Sequence, residues 1–324
     1  MKIVAVEEAV GMALCQDMTQ IIPAEKKGPR FRKGHVITKE DIPVLLSMGK
    51  QHVYVWEEQA GMIHEEDAAR MLYQMCASDF LQPTEVKEGK IEAIAQEEGL
   101  LTVAEKRLNI VNATGETMIA TRSNYYALKK GEAAAGMRII PLAIEKEKML
   151  ALQEEIGDEP LLTLHPFTHK KIGIVNTGSE IYHGRIKDGF EPVLRKKAAA
   201  FSAEILAIEV VDDKTTMIEE TINKMLALGC DIVLCTGGMS VDADDLTPKA
   251  IENVSDQMVC YGTPVLPGSM FALAYMNDGC AIMGLPGAVM FSEKTIFDLI
   301  FPRVMANIHL TPTDIAQLGC GGLL

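Results

Sequence analysis

A chain of 324 residues, 48% hydrophobic and 23% charged, is long enough for two globular domains of ordinary composition. Its 31 Lys and Arg against 45 Asp and Glu give a net charge of −14, which argues against nucleic-acid binding because that affinity comes from clustered cations. No run of about 18 apolar residues predicts a membrane span, Glu7 and Glu8 interrupt the start too early for a secretion signal, and the scattered cysteines, never spaced Cys-x-x-Cys, suit reduced thiols in a cytoplasmic protein.

Taken in chain order, the first 165 residues read as an N-terminal α+β or α/β region. Helical spacing covers 36–46 and 68–75, and Val53-Tyr54-Val55-Trp56 reads as a strand. Residues 131–144 suggest further α/β structure, and 145–155 a polar helix. Residues 157–169, with Pro160 and Pro166, are the expected linker, dividing the chain into 1–165 and 166–324.

Beyond the linker, short apolar runs alternate with helical patterns, as in an α/β sheet. Ile172-Gly173-Ile174-Val175 is a buried strand, 205–211 a second, and 215–228 a helix with Thr216 and Glu219 as a capping box. Asp231-Ile232-Val233-Leu234-Cys235 is the third strand. A helix opens at Thr247-Pro248, with Thr247 as N-cap. Cys280-Ala281-Ile282-Met283 is a further strand, and a helix through Phe297 and Ile300 continues the alternation.

In open α/β sheets, ligands bind where strands end and loops lead into helices. Three glycine-bearing loops hold that position: Thr177-Gly178-Ser179-Glu180, Thr236-Gly237-Gly238-Met239-Ser240 and Gly284-Leu285-Pro286-Gly287. Glycine lets backbone amides approach an anion closely, though a purely structural turn looks the same. Asp242, Asp244 and Asp245 follow the second turn directly. Beside a bound phosphate they would repel it unless a divalent cation lay between, so their useful role is Mg²⁺ coordination. The alternative is a solvated acidic loop before a helix.

Other features read as surface or core rather than as a site. Lys26, Lys27, Arg30, Arg32 and Lys33 form a basic cluster that suits a solvated loop or an incoming oxyanion. Arg195-Lys196-Lys197 suits a solvated surface. His165 and His169 are separated by Pro166, which disfavours a helical metal pair. Asn124-Tyr125-Tyr126 is aromatic core or a pocket wall.

Thr236-Gly237-Gly238 followed by Asp245-Leu246-Thr247-Pro248-Lys249-Ala250 resembles the signature of molybdopterin adenylyltransferases, and Val210-Val211-Asp212-Asp213 is similar to their Val-Val-Pro-Asp. Gly237-Gly238-Met239-Ser240-Val241, Thr177-Gly178-Ser179-Glu180-Ile181 with Gly184-Arg185-Ile186, and Gly284-Leu285-Pro286-Gly287 resemble the molybdopterin molybdotransferases. The segment Phe31-Arg32-Lys33-Gly34-His35-Val36-Ile37 is similar to a stretch preceding their binding domain. Two departures stand out. Asp242-Ala243-Asp244-Asp245 replaces a Gly-Asp-x-Asp motif, and Ala288-Val289 follows Gly287 where that family has Asn-Pro.

The resemblance implies a three-layer α/β/α molybdopterin-binding domain with a mostly parallel sheet, acting in molybdenum-cofactor biosynthesis. Asp213 and Asp245 would be catalytic and, with Asp242, would hold Mg²⁺. Thr177, Gly178, Ser179, Glu180, Thr236, Gly237, Gly238, Ser240, Gly284, Pro286 and Gly287 would cradle molybdopterin or its adenylylated form. ATP or molybdate would be the second substrate, and a homo-oligomer the expected assembly. A carrier or insertion chaperone without turnover, or a nucleotide hydrolase on the same fold, are the alternatives.

Overall fold

The computed structural model describes residues 2–22, 26–55 and 60–324. The chain divides into two compact units, Met1–Leu164 and His165–Leu324.

The first unit is α+β. Strands Leu81–Pro83, Ile91–Ala95, Ala133–Ile139 and Thr117–Thr121 form one antiparallel sheet in that order. Helix Glu65–Cys76 buries Ala68, Ala69, Leu72, Met75 and Cys76, a stripe at helical spacing that shares one core with Ile91, Ala93 and Met137. A smaller core gathers Val4, Leu14, Phe31, Ile37, Leu45 and Val53.

Several local expectations are corrected here. Within 36–46 the α-helix is only Ile42–Ser47, preceded by a single 3-10 turn, Lys39–Asp41. Asp41 accepts the Thr38 amide at 2.9 Å and so starts the turn there, while Val36 bridges Ala13 in extended backbone. The predicted strand at 53–56 is His52–Val55, and Trp56 lies outside the described residues. The expected linker contains a strand, Leu162–Pro166, hydrogen-bonded beside Gly99–Val103. Leu161, Leu162 and Leu164 are all buried, so burial overrides the two prolines, which bound the strand instead of breaking it. The polar helix is Lys146–Ile156 and buries Met149, Leu152 and Ile156.

The second unit holds a six-stranded sheet. Its strands are β1 (Lys171–Thr177), β2 (Glu204–Val211), β3 (Ile232–Thr236), β4 (Gln257–Tyr261), β5 (Ala272–Tyr275) and β6 (Ala281–Leu285), in spatial order β2-β1-β3-β6-β5-β4. The first four of that order are parallel, and β5 and β4 add an antiparallel edge that no hydrophobic alternation announces. Every residue of β3 and β6 is buried, the pattern of parallel strands covered on both faces.

Helices α1 (Ser179–Tyr182) and α2 (Phe190–Ala199) follow β1, α3 (Thr215–Ala227) follows β2, and α4 (Thr247–Val254) follows β3. Helices α5 (Ala288–Phe291) and α6 (Ile296–Met305) follow β6. Ile218, Ile222 and Met225 of α3 share one core with Ala250 and Ile251 of α4 and with Val175, Val233 and Ile282 of the sheet. Leu194 of α2, Val289 of α5 and Phe297 and Phe301 of α6 pack with Ile174, Leu234 and Met283. Alternate residues of the same strands thus enter opposite cores, which makes three layers, α/β/α.

Two capping assignments also change. Helix α3 starts after Lys214 with no side-chain cap, so Thr216 is already inside it, and Glu219 accepts from Asn253 at 2.6 Å. The N-cap of α4 is Leu246, and Thr247 turns its hydroxyl to Thr177 at 3.2 Å. No helix of the described residues is long and apolar enough to cross a membrane.

Candidate functional site

The parallel register aligns the strand ends. Asn176 lies opposite Thr236, Thr236 opposite Leu285, and Thr177 opposite Val211. The loops after β1, β2, β3 and β6 therefore leave from one edge of the sheet. Between β1 and β3 the connections diverge. The chain leaves β1 toward the α2 core and β3 toward the α4 core, the switch-point geometry at which open α/β sheets form a ligand crevice.

At that crevice the first two glycine loops touch. Gly237 has φ +82°, and a Cβ placed there would lie 2.1 Å from the Thr177 carbonyl oxygen. No side chain fits, so glycine is dictated by both the backbone angle and the contact. Gly238 abuts Thr247 and Thr177, and the Thr177 and Thr247 hydroxyls meet at 3.2 Å. Gly284 makes room for Met239, whose buried side chain occupies the space a Cβ would need. The third loop thereby packs under the second. Pro286 is buried, with Gly268 packed beside it, and Gly287 is exposed as the N-cap of α5. Val289, where the resembled family has Pro, is buried in the core.

The acidic residues are tied down locally. Asp213 accepts the Ser179 amide at 2.7 Å, joining the loops after β1 and β2. Asp212 accepts the Ser179 hydroxyl at 2.8 Å and pairs with Lys214 at 3.0 Å. Those partners, Lys214 first and Ser179 next, hold the Asp212 carboxyl below the usual carboxylate range. In the loop after β3, Asp245 accepts the Asp242 amide at 3.1 Å, and the Asp242 carbonyl accepts the Asp245 amide at 3.0 Å. Asp242, Asp244, Ser240 and Glu180 are exposed, and Asp213 and Asp245 are half-buried. Among the described residues no cluster of three or more His, Cys, Asp or Glu side chains could hold a metal ion.

Two contributors carry no sequence motif, and a third lies inside one without being its marked residue. Tyr261, at the end of β4, donates its hydroxyl to the Ser240 carbonyl at 2.8 Å and lies 3.3 Å from the Met239 carbonyl. Burial, and then the Asp245 charge, push its phenol up. Asp212 stands beside the residue the motif picks out. Asn176 is fully buried at the end of β1 and accepts the Thr236 hydroxyl, and its amide nitrogen has no partner among the described residues. A polar residue closing an apolar strand run was its only sequence signal.

The remaining candidates lie elsewhere. Lys33 contacts Glu66 and His64, each at 3.0 Å, as a tie within the first unit. The Lys26 and Lys27 side chains lie outside the described residues. Arg195 pairs with Glu191 on its own helix, and Lys197 with Asp298. Asn124 accepts the Val103 amide at 3.1 Å and serves a turn.

A doubly wound α/β/α sheet with its glycine loops at the switch point defines a ligand-binding domain of the open-sheet class. Residues 173–306 match the family described as "Probable molybdopterin binding domain". Residues 3–57 match a family described only as a domain of unknown function. A molybdopterin molybdenumtransferase of Synechococcus elongatus is 24% identical over 229 residues, covering 67% of this chain and 52% of that protein. A CinA-like protein of Mycobacterium sp. (strain MCS) is 32% identical over 81 residues, 25% of this chain and 19% of its own length. The chain thus spans about half the length of the first of these relatives and less of the second. The solved structure of the molybdopterin biosynthesis enzyme MoaB of Thermus thermophilus is 21% identical, covering 43% of this chain and 96% of that one, with a TM-score of 0.38.

Proposed function

We propose that the second unit binds adenylylated molybdopterin at the β1–β3 crevice and exchanges its AMP for molybdate, with Mg²⁺ neutralising the phosphates. The observation that carries this reading is the contact of Gly237 with the Thr177 carbonyl. It brings two motif loops, separate in the chain, together at one corner. Thr177, Gly178, Ser179 and Glu180 would form one wall, Thr236, Gly237, Gly238 and Ser240 the second, and Gly284, Pro286 and Gly287 the floor.

Mg²⁺ commonly takes one or two carboxylates and fills its shell with waters and substrate phosphates. Asp213 and Asp245, each with one oxygen engaged on a backbone amide, suit that mode, with Asp242 beside Asp245. The ion would supply charge neutralisation, and the chain's part is to position the phosphates. The molybdenumtransferase match, which extends well beyond residues 173–306, favours molybdate over ATP as second substrate.

One observation favours a second reading, a carrier without turnover: both aspartates are already partly engaged, Asp213 on the loop after β1 and Asp245 on its own loop. Incubation with adenylylated molybdopterin, Mg²⁺ and molybdate should release AMP, and Asp245→Asn should slow release by about a hundredfold or more. Transfer of AMP from ATP to molybdopterin instead would reassign the step. Tight binding with no release of AMP in either assay would leave the carrier.

A further inference from the structure

Ser179 is the one hydroxyl of the first glycine loop beyond Thr177, and its proton is already assigned. Its Oγ lies 2.8 Å from Asp212 Oδ1, and the other Asp212 oxygen takes the Lys214 ammonium at 3.0 Å. An ionised carboxylate only accepts, so the serine must be the donor. A hydroxyl has one proton and two lone pairs, and the half-buried Ser179 therefore faces a ligand with lone pairs alone. The Ser179 amide is committed as well, to Asp213 at 2.7 Å. Ser179 thus offers no donor for a phosphate oxygen, although its glycine-loop sequence reads as an anion cradle.

We propose that Ser179 accepts a hydrogen bond from the amino-bearing edge of the bound ring, and that Asp212 is the positioning residue that sets this polarity. The proposal rests on the pterin reading of the crevice and adds the ligand's orientation to it. Asp212 acts through Ser179. By consuming the hydroxyl proton it rejects a ring carrying an acceptor at that edge, because two acceptors would then face each other unpaired. Sites built around a specific hydrogen bond discriminate in this way against analogues that cannot make it.

Pterin and lumazine test the idea, since the exocyclic amine of the first is a carbonyl in the second and both fluoresce. Dissociation constants are measured on the full chain in EDTA, so that a metal-bound water cannot supply the donor. Wild type should favour pterin by about tenfold or more. Ser179→Ala should bring the ratio close to one. Asp212→Asn should lower or invert it, because the asparagine amide can donate to Oγ and turn the serine proton toward the ligand. Both variants retain the local volume, and Ser179→Ala alone decides the matter if Asp212→Asn fails to fold. Equal binding of the two rings by wild type, or a wild-type ratio in Ser179→Ala, overturns the orientation and leaves the pterin reading standing. Binding of neither ring at millimolar concentration overturns both.

Discussion

At Gly237 the local chemistry leaves one residue choice. Its φ of +82° lies where L side chains are strained, and the Thr177 carbonyl occupies the space of a Cβ. Gly237→Ala should cost about 2 kcal/mol or more, and the loop must move away from Thr177 to accommodate it. Thermal denaturation together with ligand affinity checks this, and a variant with wild-type values in both would contradict the packing described.

Glu65 poses a different problem at the same scale. It is buried, and burial raises its carboxyl above the ordinary value of 4.5 against the opposing pull of His64 and Arg138. A raised folded-state value means the native state holds the proton more tightly. The associated stability is present below pH 4.5 and is lost as pH climbs through the raised value. Glu65→Gln removes the titration, so the melting temperature of the variant relative to wild type should rise with pH across that window. Parallel curves would show that the carboxyl does not titrate differently on folding.

Between elements, Tyr261 links the antiparallel edge strand to the loop after β3. Its hydroxyl donates to the Ser240 carbonyl at 2.8 Å, which holds the turn from outside the parallel sheet. Tyr261→Phe should loosen that turn by about 1 kcal/mol, the usual net worth of one such bond. Amide exchange in residues 237–240 should then quicken about fivefold, with little change in β3 itself. Uniform acceleration across the sheet would mean that the hydroxyl supports the sheet as a whole and not this turn.

Across the whole molecule, the two units have separate cores. Leu72 lies in the first and Ile282 in the second, both fully buried. Leu72→Ala and Ile282→Ala should each cost about 2–5 kcal/mol, and exchange mass spectrometry should localise each loss to its own unit. Loss spreading evenly over both units after either substitution would contradict independent cores.

The second unit was the more legible part because its strands are continuous apolar runs punctuated by glycine turns, and each run marks its own place. Ile172 to Val175 and Ile232 to Cys235 read as buried strands from their own residues. The first unit gave weaker signals. Leu161, Leu162 and Leu164 sit between two prolines, and only the neighbouring strand Gly99–Val103 makes a strand of them. Gln257–Tyr261 escaped notice for the same reason, since an edge strand is defined by its partner.

Periodicity and glycine placement were enough to determine the α/β class and the strand ends, and the quoted motifs carried the family resemblance, because all of these depend on residues near one another in the chain. Which way Thr247 turns, what holds Asp213 and Asp245, and where the Ser179 proton goes were decided only by the tertiary structure. Each depends on a hydrogen-bond partner that folding brings within reach, and a donor has no preferred acceptor until then.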